Sequence, residues 1–199
     1  MTDLTPGSFG DGYGINEAGH ITGEYAGQAA IYRGGGVQLL PDFGAGSTGY
    51  SINDSDAVVG SATVGGHQHA FVYIGGMTED LGTLGGDDSS ANSIDNANRV
   101  VGTSTLADGT SHAFLEIGGF VYDLNNLVVD GQDWVLSGAT GISDTGYIVG
   151  VGEHGGETRA FILTPVPEPS TWALICLSGL AAIYARARRR LANATPIAA

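Results

Sequence analysis

A nine-residue motif that occurs four times constrains this chain more than any other feature. Each copy begins with Ile and ends with Gly, and the copies span residues 15–23, 52–60, 94–102 and 142–150. The steps between the four terminal glycines are 37, 42 and 48 residues. Repeats of this length are typical of β-propeller blades, and a single such unit cannot bury its apolar face without neighbours.

Two further segments recur after each motif. The first is a short run in which apolar residues alternate between the two faces of a strand, as in His69-Ala-Phe-Val-Tyr73. The second is a run such as Met77-Thr-Glu-Asp-Leu81, often preceded by Gly-Gly. Val-Val pairs at the end of the motif favour strands, and Asn, Asp and Gly within it favour turns.

The sequence therefore predicts an all-β body of four propeller-like units, each with three or four antiparallel strands. The units cover about residues 1–35, 36–75, 76–118 and 119–164. A closed ring of four blades and an open arc of a larger ring are both compatible with this pattern.

The first of these two segments contains His-Ala-Phe at residues 69–71 and 112–114, and Gln28-Ala-Ala and Arg159-Ala-Phe stand at the equivalent positions. The body resembles the extracellular His-Ala-Phe (HAF) repeat family over residues 1–164. This resemblance implies an extracellular location and no established enzymatic activity.

The charge of the body limits its partners. Residues 1–164 contain three arginines, no lysine and 20 acidic residues, a net charge of −17. Such a surface repels nucleic acid and anionic lipid, which leaves cations, neutral glycans and basic proteins as partners. The one cysteine, Cys176, lies beyond the body, so no disulfide framework and no thiol chemistry is expected there.

Oxygen-rich turns are the candidates for cation binding. Carboxylate and amide oxygens suit calcium, but the same residue types form ordinary hairpin turns, and the spacing matches no EF-hand loop. The calcium candidates are Asp54, Asp56, Asp87, Asp88 and Asp95. Turns are the preferred interpretation, and no cofactor is expected.

No catalytic triad, phosphate-binding loop or zinc motif stands out in the body. Close carboxylates such as Glu153 and Glu157 leave one enzymatic alternative, a secreted hydrolase acting on exopolysaccharide. A body this acidic contains such pairs in any case, so a non-catalytic role is preferred.

The composition changes abruptly after Thr164. Residues 165–171 form a Pro-rich linker, because three prolines in five residues cannot donate to a strand ladder. Trp172 to Ala185 is an uncharged run that predicts a hydrophobic helix, short for a bilayer core. The basic cluster Arg186, Arg188, Arg189 and Arg190 should stay cytoplasmic, and residues 186–199 complete the tail.

The order Val166-Pro167-Glu168-Pro169, apolar helix and Arg-rich end resembles the PEP-CTERM sorting signal of Gram-negative bacteria. The resemblance implies an exported protein that is held in the inner membrane, cut by an exosortase near this motif, and then found at the cell surface or outside the cell. It also implies an association with exopolysaccharide and biofilm.

The N-terminal segment is similar to the second of the two segments that follow the motif. Met1-Thr-Asp-Leu4 resembles Met77-Thr-Glu-Asp-Leu81, and it carries neither a basic region nor an apolar run of the kind found in signal peptides. We therefore expect a signal peptide upstream of Met1 in a longer precursor.

Overall fold

The computed structural model describes residues 10–41, 46–129, 131 and 133–166. These residues form fifteen strands in four antiparallel sheets, with one short 3₁₀ helix at Leu124–Asn126. The prediction of an all-β body is confirmed. The chain divides into two compact units, residues 1–164 and 165–199, of which the first holds all four sheets.

Each sheet is built from strands that are consecutive along the chain. The first sheet contains β1 (Gly10–Ile15), β2 (Ile21–Tyr25), β3 (Gln28–Arg33) and β4 (Gly36–Leu39). The second contains β5 (Ser47–Ile52), β6 (Val58–Val64), β7 (His67–Ile74) and β8 (Met77–Gly82). The third contains β9 (Ser89–Ile94), β10 (Val100–Thr105), β11 (Ser111–Ile117) and β12 (Phe120–Asp123). The fourth contains β13 (Trp134–Ile142), β14 (Ile148–His154) and β15 (Glu157–Leu163).

The sheets are offset from the units that the repeat predicted. Val37 and Met77, which the repeat pattern places at the start of new units, lie in β4 and β8 and close the first and second sheets. Glycine pairs between neighbouring strands, such as Gly75-Gly76, have positive φ at both residues. Two such residues form the tight hairpin turn whose twist matches that of the strands, which explains why Gly-Gly recurs with the repeat.

The last glycine of the motif is required by the close approach of two strands. A Cβ at Gly60 would lie 1.9 Å from the carbonyl oxygen of Thr48, and one at Gly102 would lie 2.0 Å from that of Ser90. The pairing register shifts at this point in all four sheets, which marks a β-bulge in the first strand of each. The motif therefore ends with Gly because no side chain fits beneath the bulge.

The hydrophobic core consists of three clusters, one between each pair of consecutive sheets. Ile31 of the first sheet packs with Val58 and Phe71 of the second. The same arrangement recurs between the second and third sheets and between the third and fourth. The described residues form a linear series of sheets, and no closed ring is found among them.

The predicted C-terminal helix, Trp172 to Ala185, lies outside the described residues. Within the part of the chain that is described, no helix is long and apolar enough to cross a bilayer.

Candidate functional sites

The repeated motif forms the same loop between the first two strands of every sheet. With the Ile as position 1, the residue at position 5 has a left-handed backbone, with φ of 76° at Gly19, 61° at Asp56, 60° at Asn98 and 88° at Gly146. The side chain at position 2 accepts a hydrogen bond from a backbone N–H of its own loop, as Asn53 Oδ1 does from Ala57 at 3.0 Å. Glycine, Asn and Asp tolerate this backbone, and Asn and Asp supply this acceptor.

In the first two loops the position 2 side chain also joins its loop to the loop of the next sheet. Asn16 Nδ2 donates to the carbonyl oxygen of Asn53 at 3.0 Å and to Asp56 Oδ1 at 2.9 Å. Asn53 Nδ2 repeats both bonds one sheet further on, to the carbonyl oxygen of Asp95 at 2.9 Å and to Asn98 Oδ1 at 2.8 Å. We call these contacts between successive loops the turn clasps.

The third turn clasp uses a different donor. Asp95 occupies position 2 there, and a carboxylate has no N–H to donate. Its Oδ2 instead binds Arg99 at 2.5 Å, and Arg99 donates to the carbonyl oxygen of Asp144 at 3.1 Å. The Asp95 side chain is fully buried and depends on this guanidinium to balance its charge.

A second row of hydrogen bonds runs through position 3 of the loops. The backbone N–H of Glu17 donates to Asp54 Oδ1 at 3.0 Å, that of Asp54 to Asn96 Oδ1 at 3.0 Å, and that of Asn96 to Asp144 Oδ1 at 2.8 Å. All four loops are therefore connected along one line. The side chains of Asp54, Asn96 and Asp144 each accept from the preceding loop, and Asn96 Nδ2 also donates to Asp144 Oδ2 of the following loop at 3.0 Å.

These bonds involve three of the five calcium candidates. Asp56 and Asp95 act in the turn clasps, and Asp54 acts in the row through position 3. Asp56 also accepts from Arg33 and lies 2.7 Å from His20 Nδ1. Asp87 and Asp88 are exposed, and Asp88 accepts from the backbone N–H of Gln68. Among the described residues, no group of three or more His, Cys, Asp or Glu side chains is arranged to hold a metal ion.

The histidines of the His-Ala-Phe segments pair with aspartates of the neighbouring strand. His69 Nδ1 lies 2.9 Å from Asp80, and His112 Nδ1 lies 2.8 Å from Asp123. Burial raises the pKa of Asp123, but hydrogen bonds from His112 and Asn125 outweigh it and hold that pKa below its usual value. These pairs tie the third strand to the fourth within a sheet.

The carboxylates of the hydrolase alternative lie on the hairpin of β14 and β15. Glu153 pairs in register with Thr158, and Glu157 pairs with His154. Both are exposed, and Glu157 forms an ion pair with Arg159 at 2.6 Å.

The C-terminal motif begins where the last strand ends. β15 ends at Leu163, and Val166 is exposed. Pro167, Glu168, Pro169 and the basic cluster from Arg186 to Arg190 lie outside the described residues.

The chain is thus an all-β repeat body followed by a tail of different composition. Residues 165–190 match the PEP-CTERM protein-sorting motif, which supports an exported protein that is sorted by an exosortase. The motif implies anchoring in the membrane before processing and release to the cell surface afterwards.

The body is similar in fold to a solved structure, the crystal structure of TolB from Acinetobacter baumannii. The TM-score is 0.54 at 16% sequence identity, over 79% of this chain and 41% of that chain. This chain therefore corresponds to about two-fifths of the TolB chain. No curated protein matches the sequence.

Sequence reasoning identified the Asx residues as turn formers but missed their connection to the neighbouring sheet. The signal was present in the repeat, since Asn or Asp occupies position 2 in three of the four copies and position 3 in three of them. A turn requires one such residue per loop. A second recurring Asn or Asp, at position 3, has no role in its own turn and therefore indicates a contact outside the loop.

Proposed function

We propose that this chain is an exported, non-catalytic surface or matrix repeat protein. In this proposal an exosortase cuts its C-terminal tail, and the body acts as a scaffold or binding face for an extracellular polymer or a protein partner. The observation that carries the proposal is the sorting motif at residues 165–190 directly after a β body. The resemblance of the body to HAF repeats agrees with export.

The arrangement of the sheets supports a propeller-like arc for this body. The first strands of consecutive sheets, β1, β5, β9 and β13, contact one another in sequence. The hydrophobic clusters lie between facing sheets, as expected when blades stack around a common side.

The state of the carboxylates supports the non-catalytic role. The Asp54 carboxylate is held by a hydrogen bond between loops, that of Asp95 is paired with Arg99 of its own loop, and Asp80 and Asp123 are paired with histidines. A general acid or base needs a carboxyl group that is free to exchange a proton with substrate. The acidic residues at these positions serve the repeat instead.

The sorting role is tested in a Gram-negative host that has an exosortase, using the full chain behind a working signal peptide. Replacing Pro167, Glu168 and Pro169 by alanine should leave a full-length precursor in the inner membrane, and removing residues 166–199 should abolish membrane retention. The control is Glu157→Gln, which removes one exposed carboxylate of the body and should be processed normally. Normal processing of the alanine variant, or membrane retention of the truncated chain, would contradict the sorting role.

A separate experiment distinguishes binding from hydrolysis. The purified chain is incubated with exopolysaccharide from the same host, and both retention and released sugar are measured. Retention without turnover is the expected result. Turnover that is lost in the Glu153→Gln, Glu157→Gln variant would establish the hydrolase instead.

A further inference from the structure

Two hairpins of the body carry exposed apolar residues on both sides of their turns. Ile74 and Met77 are cross-strand neighbours at the turn between β7 and β8, and they are 43% and 75% exposed. Ile117 and Phe120 take the same positions between β11 and β12 and are 45% and 67% exposed. We call these two pairs the hairpin tips. Exposed apolar residues that are grouped in this way mark an interaction surface.

The third sheet has a second aromatic residue behind its hairpin tip. Phe120 and Tyr122 lie on the same face of β12, their ring centroids are 6.5 Å apart, and Tyr122 is also exposed. Two residues along a strand place Tyr122 about 7 Å further from the turn than Phe120. A bilayer interface suits this order, because an apolar ring lies deeper there and the amphipathic ring of Tyr lies at the level of the headgroups.

The hairpin tips lie at the same end of the sheets as the motif loops. Consecutive strands are antiparallel, so the loop after the first strand and the turn after the third strand of a sheet lie at one end. A contact in the first two sheets agrees with this placement. Arg33, at the turn between β3 and β4, donates to Asp56 of the second motif loop at 2.9 Å.

The chain leaves the body at this end as well. Gly60 pairs with Phe71 in the second sheet, and Gly150 pairs with Phe161 in the fourth. Thr164 therefore takes the position of Ile74 in the repeat. The path from the body to the sorting tail begins where the second and third sheets have their hairpin tips.

The length of the linker limits the distance between this end of the body and an anchored tail. Eight residues, 164–171, separate β15 from the apolar run that begins at Trp172. At about 3.5 Å per residue, an extended linker of this length spans at most about 28 Å. A tail that is anchored in the membrane therefore keeps the hairpin tips within reach of the bilayer surface.

We propose that the hairpin tips insert into the bilayer interface while the tail is anchored, so that the body rests on the membrane until processing releases it. This inference rests on the membrane anchoring of the proposed function. The linker brings a bilayer, and no other apolar surface on the page, to the end of the body that carries the tips. The tips supply the exposed apolar and aromatic side chains that interfacial binding requires.

The motif loops determine which lipids favour this contact. Glu17, Asp54 and Asp144 are exposed at the same end of the body. Their charges repel an anionic surface, and the net charge of −17 on the body adds to this repulsion. Insertion should therefore be strongest in zwitterionic lipid and should weaken as the fraction of anionic lipid increases.

The contact is tested on the full chain, anchored by its tail in phosphatidylcholine vesicles. In a Cys176→Ser background, an environment-sensitive fluorophore is attached at Ile117→Cys or at Val135→Cys, and its quenching by a lipid with a spin label just below the headgroup is measured. Val135 is 46% exposed and lies at the start of β13, at the opposite end of the sheets. Quenching should be at least about twofold stronger at position 117, because only the tips enter the interface.

Paired substitutions test whether the tips cause this quenching. Met77→Glu with Phe120→Glu should reduce quenching at position 117 to the level seen at position 135, because it places charges in the interface. Val135→Glu with Val151→Glu is the control, since it adds the same charge to exposed apolar residues away from the tips and should leave quenching at position 117 unchanged. Replacing a third of the lipid by phosphatidylglycerol should weaken quenching in the native chain.

The outcomes separate this inference from the proposed function. A chain that sediments with the vesicles but shows equal quenching at positions 117 and 135 would overturn the membrane contact and leave the anchoring intact. Tips that contact only a protein partner would give this result in pure lipid. Quenching at position 117 that survives the two Glu substitutions at the tips would also overturn the inference. A chain that does not sediment with the vesicles would overturn the inference and the anchoring together.

Discussion

At the scale of single residues, the motif glycine has the clearest physical reason for its identity. A Cβ at Gly102 would lie 2.0 Å from the carbonyl oxygen of Ser90 and 2.7 Å from the Phe114 ring. Either the bulge in β9 or the core ring must then move. Gly102→Ala should lower the free energy of unfolding by about 3 kcal/mol, the upper part of the range for overpacking a core. Urea unfolding measures this loss.

The matched control for this substitution is Gly36→Ala in β4. Its Cβ would meet only the carbonyl oxygen of Arg33, at 3.7 Å, which is an ordinary contact. This variant should stay within about 0.5 kcal/mol of the native chain. Equal losses of stability from the two substitutions would show that the close approach of the strands at the bulge is not the reason for glycine at position 102.

The carboxyl group of Glu116 makes folding depend on pH. Burial raises the pKa of this group, against the lowering effect of a hydrogen bond from Gly119 N–H. The folded chain therefore binds more protons than the unfolded chain between the ordinary and the raised pKa, and stability falls as pH rises through that window. Glu116→Gln keeps the acceptor and avoids this loss. Urea unfolding from pH 3 to 8 should give equal stability at the acidic end and a more stable variant above the window.

Asp123, in the same sheet as Glu116, gives the opposite dependence of stability on pH. Because its pKa is held below the usual value, its contribution is present above the ordinary pKa and is lost as pH falls through the lowered one. Asp123→Asn should therefore be less stable than the native chain at neutral pH, with the difference shrinking in acid. At neutral pH, Glu116→Gln should therefore raise the stability and Asp123→Asn should lower it. A shift in the same direction for both variants would contradict burial as the main effect at Glu116 and hydrogen bonding as the main effect at Asp123.

At the scale of elements, the loop between the first two strands does two tasks with few residues. Position 2 closes its own turn and reaches the next loop, and position 3 caps a backbone N–H of the preceding loop. Neighbouring sheets are thus joined by polar contacts at the loops as well as by the core. The third clasp reaches the same result with an Asp and an Arg in place of one Asn.

A double-mutant cycle tests whether Arg99 takes the place of the Asn side-chain amide as the donor in the third clasp. Arg99→Ala leaves the fully buried Asp95 carboxylate with its two backbone N–H donors but without a counter-charge, and it should destabilise the chain by about 3 kcal/mol. Adding Asp95→Asn should recover most of that loss, because the residue then matches Asn16 and Asn53 and needs no counter-charge. Thermal and urea unfolding of the four chains measure the coupling.

Arg159→Ala is the control for the cycle. Its ion pair with Glu157 is exposed on both sides, so the loss should stay below about 1 kcal/mol. A double variant that is no more stable than Arg99→Ala alone would show that Arg99 does more than neutralise Asp95.

The sequence predicted the strands well because period-2 apolar runs and Gly-Gly turns are local signals. Val58-Val59 and Ala70-Phe71 lie in strands, and each places one residue on each face of the sheet. The assignment of strands to sheets was not local, since β4 could equally begin the second unit or end the first. The turn clasps and the position 3 row were missed for the same reason, because their partners are 37 to 48 residues apart in sequence.

At the scale of the whole molecule, the described strands of the body form a linear series in which the main contacts between sheets join consecutive sheets. Stability in such a series is a sum of unit and junction contributions, so the cost of a substitution depends on whether a junction covers it. The same position of the repeat holds Val59, Val101 and Val149. Val59 and Val101 are buried at a junction between sheets, whereas Val149 is exposed. They offer a test of this view with the chemistry held constant.

Val59→Ala and Val101→Ala should each lower the free energy of unfolding by about 2 kcal/mol, since both remove methyl groups from a closed junction. Val149→Ala should cost less than about 0.5 kcal/mol, because this side chain is already 42% exposed. The comparison uses urea unfolding of the three variants at one low concentration. Equal losses at all three positions would mean that the face of the fourth sheet that carries Val149 is covered within the chain, and a closed ring would then replace the linear series.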